Sequence, residues 1–123
     1  MQDETNLTDI LNTQSEALRP HFKPEILQRS HTIFAFQFEL GAAFYLEVTL
    51  TSFRFIAGVP LAPTITVYID RHETCWQLLT GQADSMAAFM DGRYRADGNI
   101  VLSQLLLYLF KSIDPSISYE VRD

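Results

Sequence analysis

Cysteine is almost missing from this 123-residue chain, where Cys75 stands alone. One thiol excludes an intrachain disulfide and any cysteine-rich zinc site, and it fits a reducing compartment. Cations are also scarce, nine Lys and Arg against fifteen Asp and Glu, for a formal net charge of −6. Such a chain repels phosphate backbones, so nucleic-acid binding is not expected. Electrostatic recruitment to anionic membranes is disfavoured as well, leaving at most transient membrane contact. Long apolar runs are missing too. The longest, Ile100 to Phe110, is broken by Ser103 and Gln104 and falls far short of the roughly 20 residues a membrane span needs. The opening MQDETNLTDI has neither the apolar stretch of a secretory signal nor the Arg-rich, acid-poor character of a presequence. The closing Val121-Arg122-Asp123 is no peroxisomal or retention tripeptide. A soluble cytoplasmic protein is the expectation.

What is present is apolar surface. Hydrophobic residues make up 47% of the chain, with nine Phe, five Tyr and one Trp. That excludes wholesale disorder, and the length suits one domain. Residues 1–6 are polar and read as a loose end, 7–112 as the domain, and 113–123 as a tail. Leu7, Ile10, Leu11 and Leu18 recur at helical spacing, and Pro20 stops that helix. Pro24 opens a further turn. From Thr32 the period becomes two. Phe34, Phe36, Phe38 and Leu40 share one face, then Phe44, Leu46, Val48 and Leu50, with Gly41-Ala42 as a tight turn between them. Phe53 and Phe55 continue on a third strand, and Ile65, Val67 and Ile69 mark a fourth. Asp70, with Glu73 three residues on, predicts a capped helix carrying Trp76 and Leu79 and ending at Gly81. Asp84 or Ser85 starts a short helix, Met86 to Met90. Arg93 to Ala96 reads as a short strand, and Asn99 caps a last helix to about Ser112. Strands followed by helices predict an α+β fold, with helices packed on one face of a mainly antiparallel sheet.

Motifs for chemistry are thin. His21, His31 and His72 are scattered, with no metal-ligand spacing, and no cofactor or metal is expected. No nucleophile elbow and no Gly-rich phosphate loop occurs. His72 reads as a solvent-facing residue in the first turn of its helix rather than a base. Cys75 reads as a small buried residue rather than a nucleophile with a lowered pKa. Arg93 and Arg95 share one strand face. They either pair with outward acids such as Glu39 or Glu47, or grip an anionic head group. The last helix carries Leu102, Leu105, Leu106, Leu109 and Phe110 on an inward stripe, while Ile100, Val101, Leu107 and Tyr108 make it apolar elsewhere. Such a helix is either buried on all sides or shows apolar surface to a partner.

The stretch Gly81-Gln82-Ala83-Asp84-Ser85-Met86-Ala87-Ala88-Phe89-Met90-Asp91-Gly92-Arg93-Tyr94-Arg95-Ala96-Asp97-Gly98-Asn99-Ile100 resembles the sterol carrier protein type 2 domain family. That family runs from Gly-Lys and an apolar helix with an aromatic, through Gly-Lys-Leu and a short strand, to Gly-Asp and a Leu-rich helix. The Phe34 to Val48 strands, and the Thr64 to Asp70 strand leading into Trp76-Gln77-Leu78-Leu79, follow its order. The resemblance covers roughly residues 30 to 111. Ser85 stands where many members carry Pro, Gln82 replaces the usual Lys, and Arg93-Tyr94 replaces Lys-Leu. These departures point away from a sterol and a peroxisomal setting and toward a stand-alone bacterial-type member.

The resemblance implies a five-stranded sheet covered by helices and enclosing an apolar tunnel or cavity. It implies non-enzymatic binding of a fatty acid, acyl-CoA, sterol or prenyl or quinone-precursor lipid. The family's lining maps onto Phe34, Phe36, Phe38, Phe44, Leu46, Phe53 and Phe55, onto Trp76 and Leu79, and onto Met86, Phe89 and Met90. It continues on the last helix at Leu102, Leu105, Leu106, Leu109 and Phe110. The rival reading is an accessory module with a filled core, whose last helix forms a homodimer or docks a lipid-biosynthetic enzyme.

Overall fold

A computed structural model describes residues 2–111. The expected tail and the last residue of the expected final helix lie outside the described residues. The chain opens with α1, Gln2–Leu18, so the helix takes in residues read as a loose end. Leu7, Leu11 and Leu18 are buried against the core while Ile10 turns outward. The helix lies along the strand Phe53–Ala57, at one edge of the sheet. Pro20 sits in a 3-10 turn, Arg19–His21, and Pro24 opens a second, Pro24–Ile26.

The strands follow as β1 (His31–Leu40), β2 (Phe44–Thr49), β3 (Phe53–Ala57) and β4 (Ile65–Arg71). Then come α2 (His72–Thr80), α3 (Ser85–Met90), β5 (Tyr94–Asp97) and α4 (Ile100–Leu106). Together they form an α+β fold around one five-stranded sheet, ordered β3-β2-β1-β4-β5. The sheet is mainly antiparallel, and β1 and β4 form its parallel pair. Register places Phe36 opposite Phe44, Phe34 opposite Leu46, and Leu46 opposite Phe55. Because side chains alternate across a strand, these residues share the inner face. They form one buried cluster with Leu78, Leu79, Leu102, Leu106 and Phe110.

Three local expectations are corrected. Gly41-Ala42 is not a tight hairpin turn. The β1–β2 ladder closes at Phe36 and Phe44, while β1 runs on to Leu40 and pairs there with Arg71 of β4. That extension also displaces the expected helix cap. Asp70 and Arg71 belong to the ladder, and the Asp70 Oδ1 accepts the Arg71 N–H at 2.8 Å, so α2 starts without a side-chain cap. Finally, α4 ends at Leu106. Tighter i→i+3 bonds follow, from Leu107 N to Gln104 O and from Leu109 N to Leu106 O. The altered phase turns Leu107 inward, leaving Ile100, Val101 and Tyr108 outside. The caps at Gly81, Asp84 and Asn99 are those the sequence predicts.

The outer sheet face carries charge. Glu47 accepts from Arg54 Nη2 at 2.8 Å and pairs with His31 Nε2 at 2.7 Å. The Arg54 guanidinium and then the His31 ring hold its carboxyl below the ordinary value of 4.5. A depressed carboxylate adds stability that is complete above pH 4.5 and is lost as the pH falls through the native value. Urea midpoints measured down an acid series should therefore fall further for the parent than for Glu47→Gln. Equal falls would remove this contribution.

Candidate functional site

Eight Phe and Trp rings on the inner side form one connected network among the described residues. Phe44 lies at its centre. It stacks on Trp76 with centroids 5.3 Å apart and planes 6° from parallel, and it meets Phe36 at 5.4 Å, Phe38 at 5.1 Å and Phe55 at 6.0 Å. Phe55 also packs edge-on to Trp76 at 5.3 Å. It leads on to Phe53 at 5.9 Å and Phe110 at 6.2 Å. Phe22 closes the far end, 4.7 Å from Phe53 and 5.7 Å from Phe110. Offset and edge-on pairs of this kind are favoured over face-to-face sandwiches.

The local sequence explains the assembly. Alternation on β1, β2 and β3 delivers the strand rings to one face, and α2 lays Trp76 over the β2–β3 side. The chain after α4 is pinned beside them. Lys23 N–H donates to Leu109 O at 2.9 Å, and Lys23 Nζ donates to Lys111 O at 2.9 Å and His21 O at 3.0 Å. This strap holds Phe22 and Phe110 on the same cluster. Sequence periodicity did not single out Phe22; its only signal is an aromatic residue between two prolines.

Of the expected lining, Phe34, Phe36, Phe44, Leu46, Phe53, Phe55 and Leu79 are buried, as are Leu102, Leu106, Leu109 and Phe110. Phe38, Trp76 and Leu105 are half-buried and packed against them, as is Phe22, so the ring network reaches the surface at Phe22 and Trp76. Met86, Phe89 and Met90 do not join. They project from α3 at 65, 56 and 75% exposure, and Ala88 is the residue turned inward, fully buried. The six residues of α3 are apolar on every side but Ser85, so no stripe fixes which side faces inward. The helix is capped where Arg93 N–H donates to Ala88 O at 2.9 Å and Gly92 takes a positive φ.

Polar groups inside the apolar layer are few. Tyr94 is buried beside Ser103; burial pushes its phenol pKa up, opposed by the hydrogen bond to Ser103. The Thr32 hydroxyl is fully buried and has no hydrogen-bond partner among the described residues. Cys75 is buried, and desolvation holds its thiol well above the ordinary range, so it is not an activated nucleophile. His72 is not a free solvent-facing residue either. Its Nε2 bonds Ala42 O at 2.8 Å, and its ring meets Phe38 edge-on at 4.5 Å.

A groove of about 380 Å3 with a mixed polar and apolar lining lies at the β1–β4–β5 end, lined among others by Glu39, Tyr68, Asp70, Phe89, Arg93 and Arg95. The expected pairing of the two arginines with Glu39 or Glu47 is not seen. Arg93 lies 3.6 Å from Asp91, Arg95 stacks 4.3 Å over the Tyr68 ring, and Glu47 is taken by Arg54 and His31. Among the described residues no group of three His, Cys, Asp or Glu could hold a metal, and no helix is long and apolar enough to cross a membrane.

This architecture, a five-stranded sheet with one parallel pair and its helices gathered over the apolar face, is a defined α+β class. Within it the chain has the sterol carrier protein 2 fold, as solved structures show. A UbiJ-SCP2 ubiquinone synthesis protein superposes with a TM-score of 0.67 at 12% identity, over 89% of this chain and 96% of that one. The palmitated SCP2L2 of Aedes aegypti gives 0.52 at 16% identity, over 81% and 86%. The stereoselective inverting sec-alkylsulfatase Pisa1 from Pseudomonas sp. gives 0.65 at 16% identity over 82% of this chain, which spans only 16% of the sulfatase's length. No family model matches the chain.

Proposed function

We propose that the chain is a non-enzymatic lipid carrier of the cytoplasm. It takes the hydrocarbon of a fatty acid, acyl-CoA, sterol or prenyl or quinone-precursor lipid into an apolar cavity between sheet and helices. The observation that carries this reading is the ring network on the inner face, connected from Phe38 to Phe22 and reaching the surface at Phe22 and Trp76. Removing apolar ligand surface from water is worth about 25 cal/mol per Å2, and no covalent step is required. Support comes from two structures of the same fold, one described as palmitated and one as a ubiquinone synthesis protein. The likeness to the sulfatase covers too little of that enzyme to bring its chemistry here.

Trp76, the single tryptophan, reports the event. Fatty-acid or prenyl probes should change its emission, and native mass spectrometry of the purified protein should show a bound lipid mass. A chain that is lipid-free by mass and silent to both probes overturns the proposal.

The accessory-module reading keeps one observation in its favour, the exposure of Ile100 and Val101 on α4. Because Leu107 is buried, the informative variant is Ile100→Glu with Val101→Glu. Loss of a dimer mass, with probe binding retained, would assign that face to assembly.

A further inference from the structure

One residue breaks the apolar pattern of the inner sheet face. Thr32 begins that face on β1, ahead of Phe34 and Phe36. Register sets it opposite Val48, which in turn faces Phe53. Every other buried inner position on β1 to β4 is apolar. Thr32 is fully buried, and its hydroxyl has no hydrogen-bond partner among the described residues. The buried Ser103 hydroxyl, by contrast, donates to Ile100 O at 2.7 Å. An unpaired buried hydroxyl is costly, and buried polar groups are nearly always satisfied. Valine has the same branched shape without that cost, so folding alone gives no reason for the oxygen. A bound molecule can supply the missing partner.

The setting limits what that molecule offers. The row Thr32, Val48, Phe53 lies at the end of the ring network that Phe22 closes, 4.7 Å from Phe53. Two cations at this end are already engaged. Lys23 Nζ donates to His21 O and Lys111 O. Arg19 pairs with Glu16 at 3.3 Å and lies 5.9 Å over the Phe53 ring. One neutral hydroxyl cannot offset the burial of a carboxylate. An uncharged oxygen carried on hydrocarbon suits both the apolar walls and the single polar atom.

We propose that Thr32 Oγ1 is the polar anchor of the binding site, hydrogen-bonded to an uncharged oxygen of the bound lipid, an alcohol or a carbonyl. This rests on the lipid-carrier reading and narrows its ligand class, because a free carboxylate is not what Thr32 holds.

The test uses the full chain, stripped of lipid on a hydrophobic resin. The probes are 1-dodecanol, 2-tridecanone and dodecane, delivered from cyclodextrin, each displacing a bound fluorescent prenyl probe. Thr32→Val should weaken the alcohol, the ketone or both by about tenfold, equivalent to about 1.4 kcal/mol, and leave dodecane unchanged. Loss for the ketone means that Oγ1 donates; loss for the alcohol alone means that it accepts. Thr32→Ser, which keeps the hydroxyl, should keep the preference for oxygen. Without lipid, Thr32→Val should raise the urea midpoint, since it removes an unsatisfied group. The proposal is overturned if Thr32→Val binds both oxygenated probes as tightly as the parent, or if Thr32→Ser loses the preference. It is also overturned if the Thr32→Val midpoint falls, because the hydroxyl then has a partner without lipid. Dodecane uptake with no effect of Thr32 sinks this inference alone. A parent that binds neither the prenyl probe nor dodecane fails the carrier reading itself, and both fall.

Discussion

Phe44→Ala should lower the unfolding free energy by about 3–5 kcal/mol. The ring is fully buried and touches Phe36, Phe38, Phe55, His72 and Trp76. Its neighbours are held on two strands and a helix, so they cannot all collapse into the space left behind, and the cavity cost adds to the transfer cost. Against a total stability of about 5–15 kcal/mol for an ordinary domain, one ring decides much of the margin. Urea unfolding followed by Trp76 emission measures it, and the loss of the stacked partner should also alter the native emission. A change below about 1.5 kcal/mol, the cost of a well-tolerated core swap, would mean that the network repacks freely.

A second large effect is expected in a turn that looks harmless. Gly41 sits at φ +130, and a Cβ there would lie 2.9 Å from His72 Nε2. The imidazole cannot easily step aside, because it bonds Ala42 O and packs between Phe38 and Phe44. Gly41→Ala should therefore cost about 2–4 kcal/mol, combining backbone strain and overpacking. Gly92 provides the control. Its φ is +77 with nothing within 4 Å of the added carbon, so Gly92→Ala meets only the left-handed penalty of about 1–2 kcal/mol. Chemical denaturation of both, together with Gly41→Ala/His72→Ala, separates the terms. The clash predicts that His72→Ala relieves part of the Gly41→Ala cost. Strict additivity would rule the clash out.

The inner face of β1, β2 and β3 was legible because alternation of Phe, Leu and Val with polar residues states its own period. The caps at Gly81, Asp84 and Asn99 were legible because each acts through its own side chain or backbone freedom. Other features depended on partners distant in sequence. The run of β1 past its hairpin exists only because β4 lies alongside, and the same ladder takes Asp70 away from its expected capping role. The outward turn of Met86, Phe89 and Met90 was not legible because α3 is apolar on nearly every side, so its six residues state no inward stripe. Leu107 turned inward through a tightened last turn that no periodic stripe encodes. Phe22 has no periodic neighbours and gains its place from the Lys23 strap.

The sheet order has a consequence for how the chain assembles. The central strand pairs on one side with β2, a near neighbour, and on the other with β4, with Phe34 opposite Ile65. Parallel pairing across such a separation closes a long loop before any contact rewards it, which slows folding. During synthesis the meander of β1, β2 and β3 emerges first, with Phe34, Phe36, Phe44, Phe53 and Phe55 on one face, while Trp76 and Phe110, which help to cover that face, are translated later. The nascent chain thus carries an aromatic sheet covered only in part, by α1 and Phe22 and then by Trp76, until residues 100–110 have left the ribosome. Its interval of greatest aggregation risk falls late in translation, just before residues 100–110 can seat.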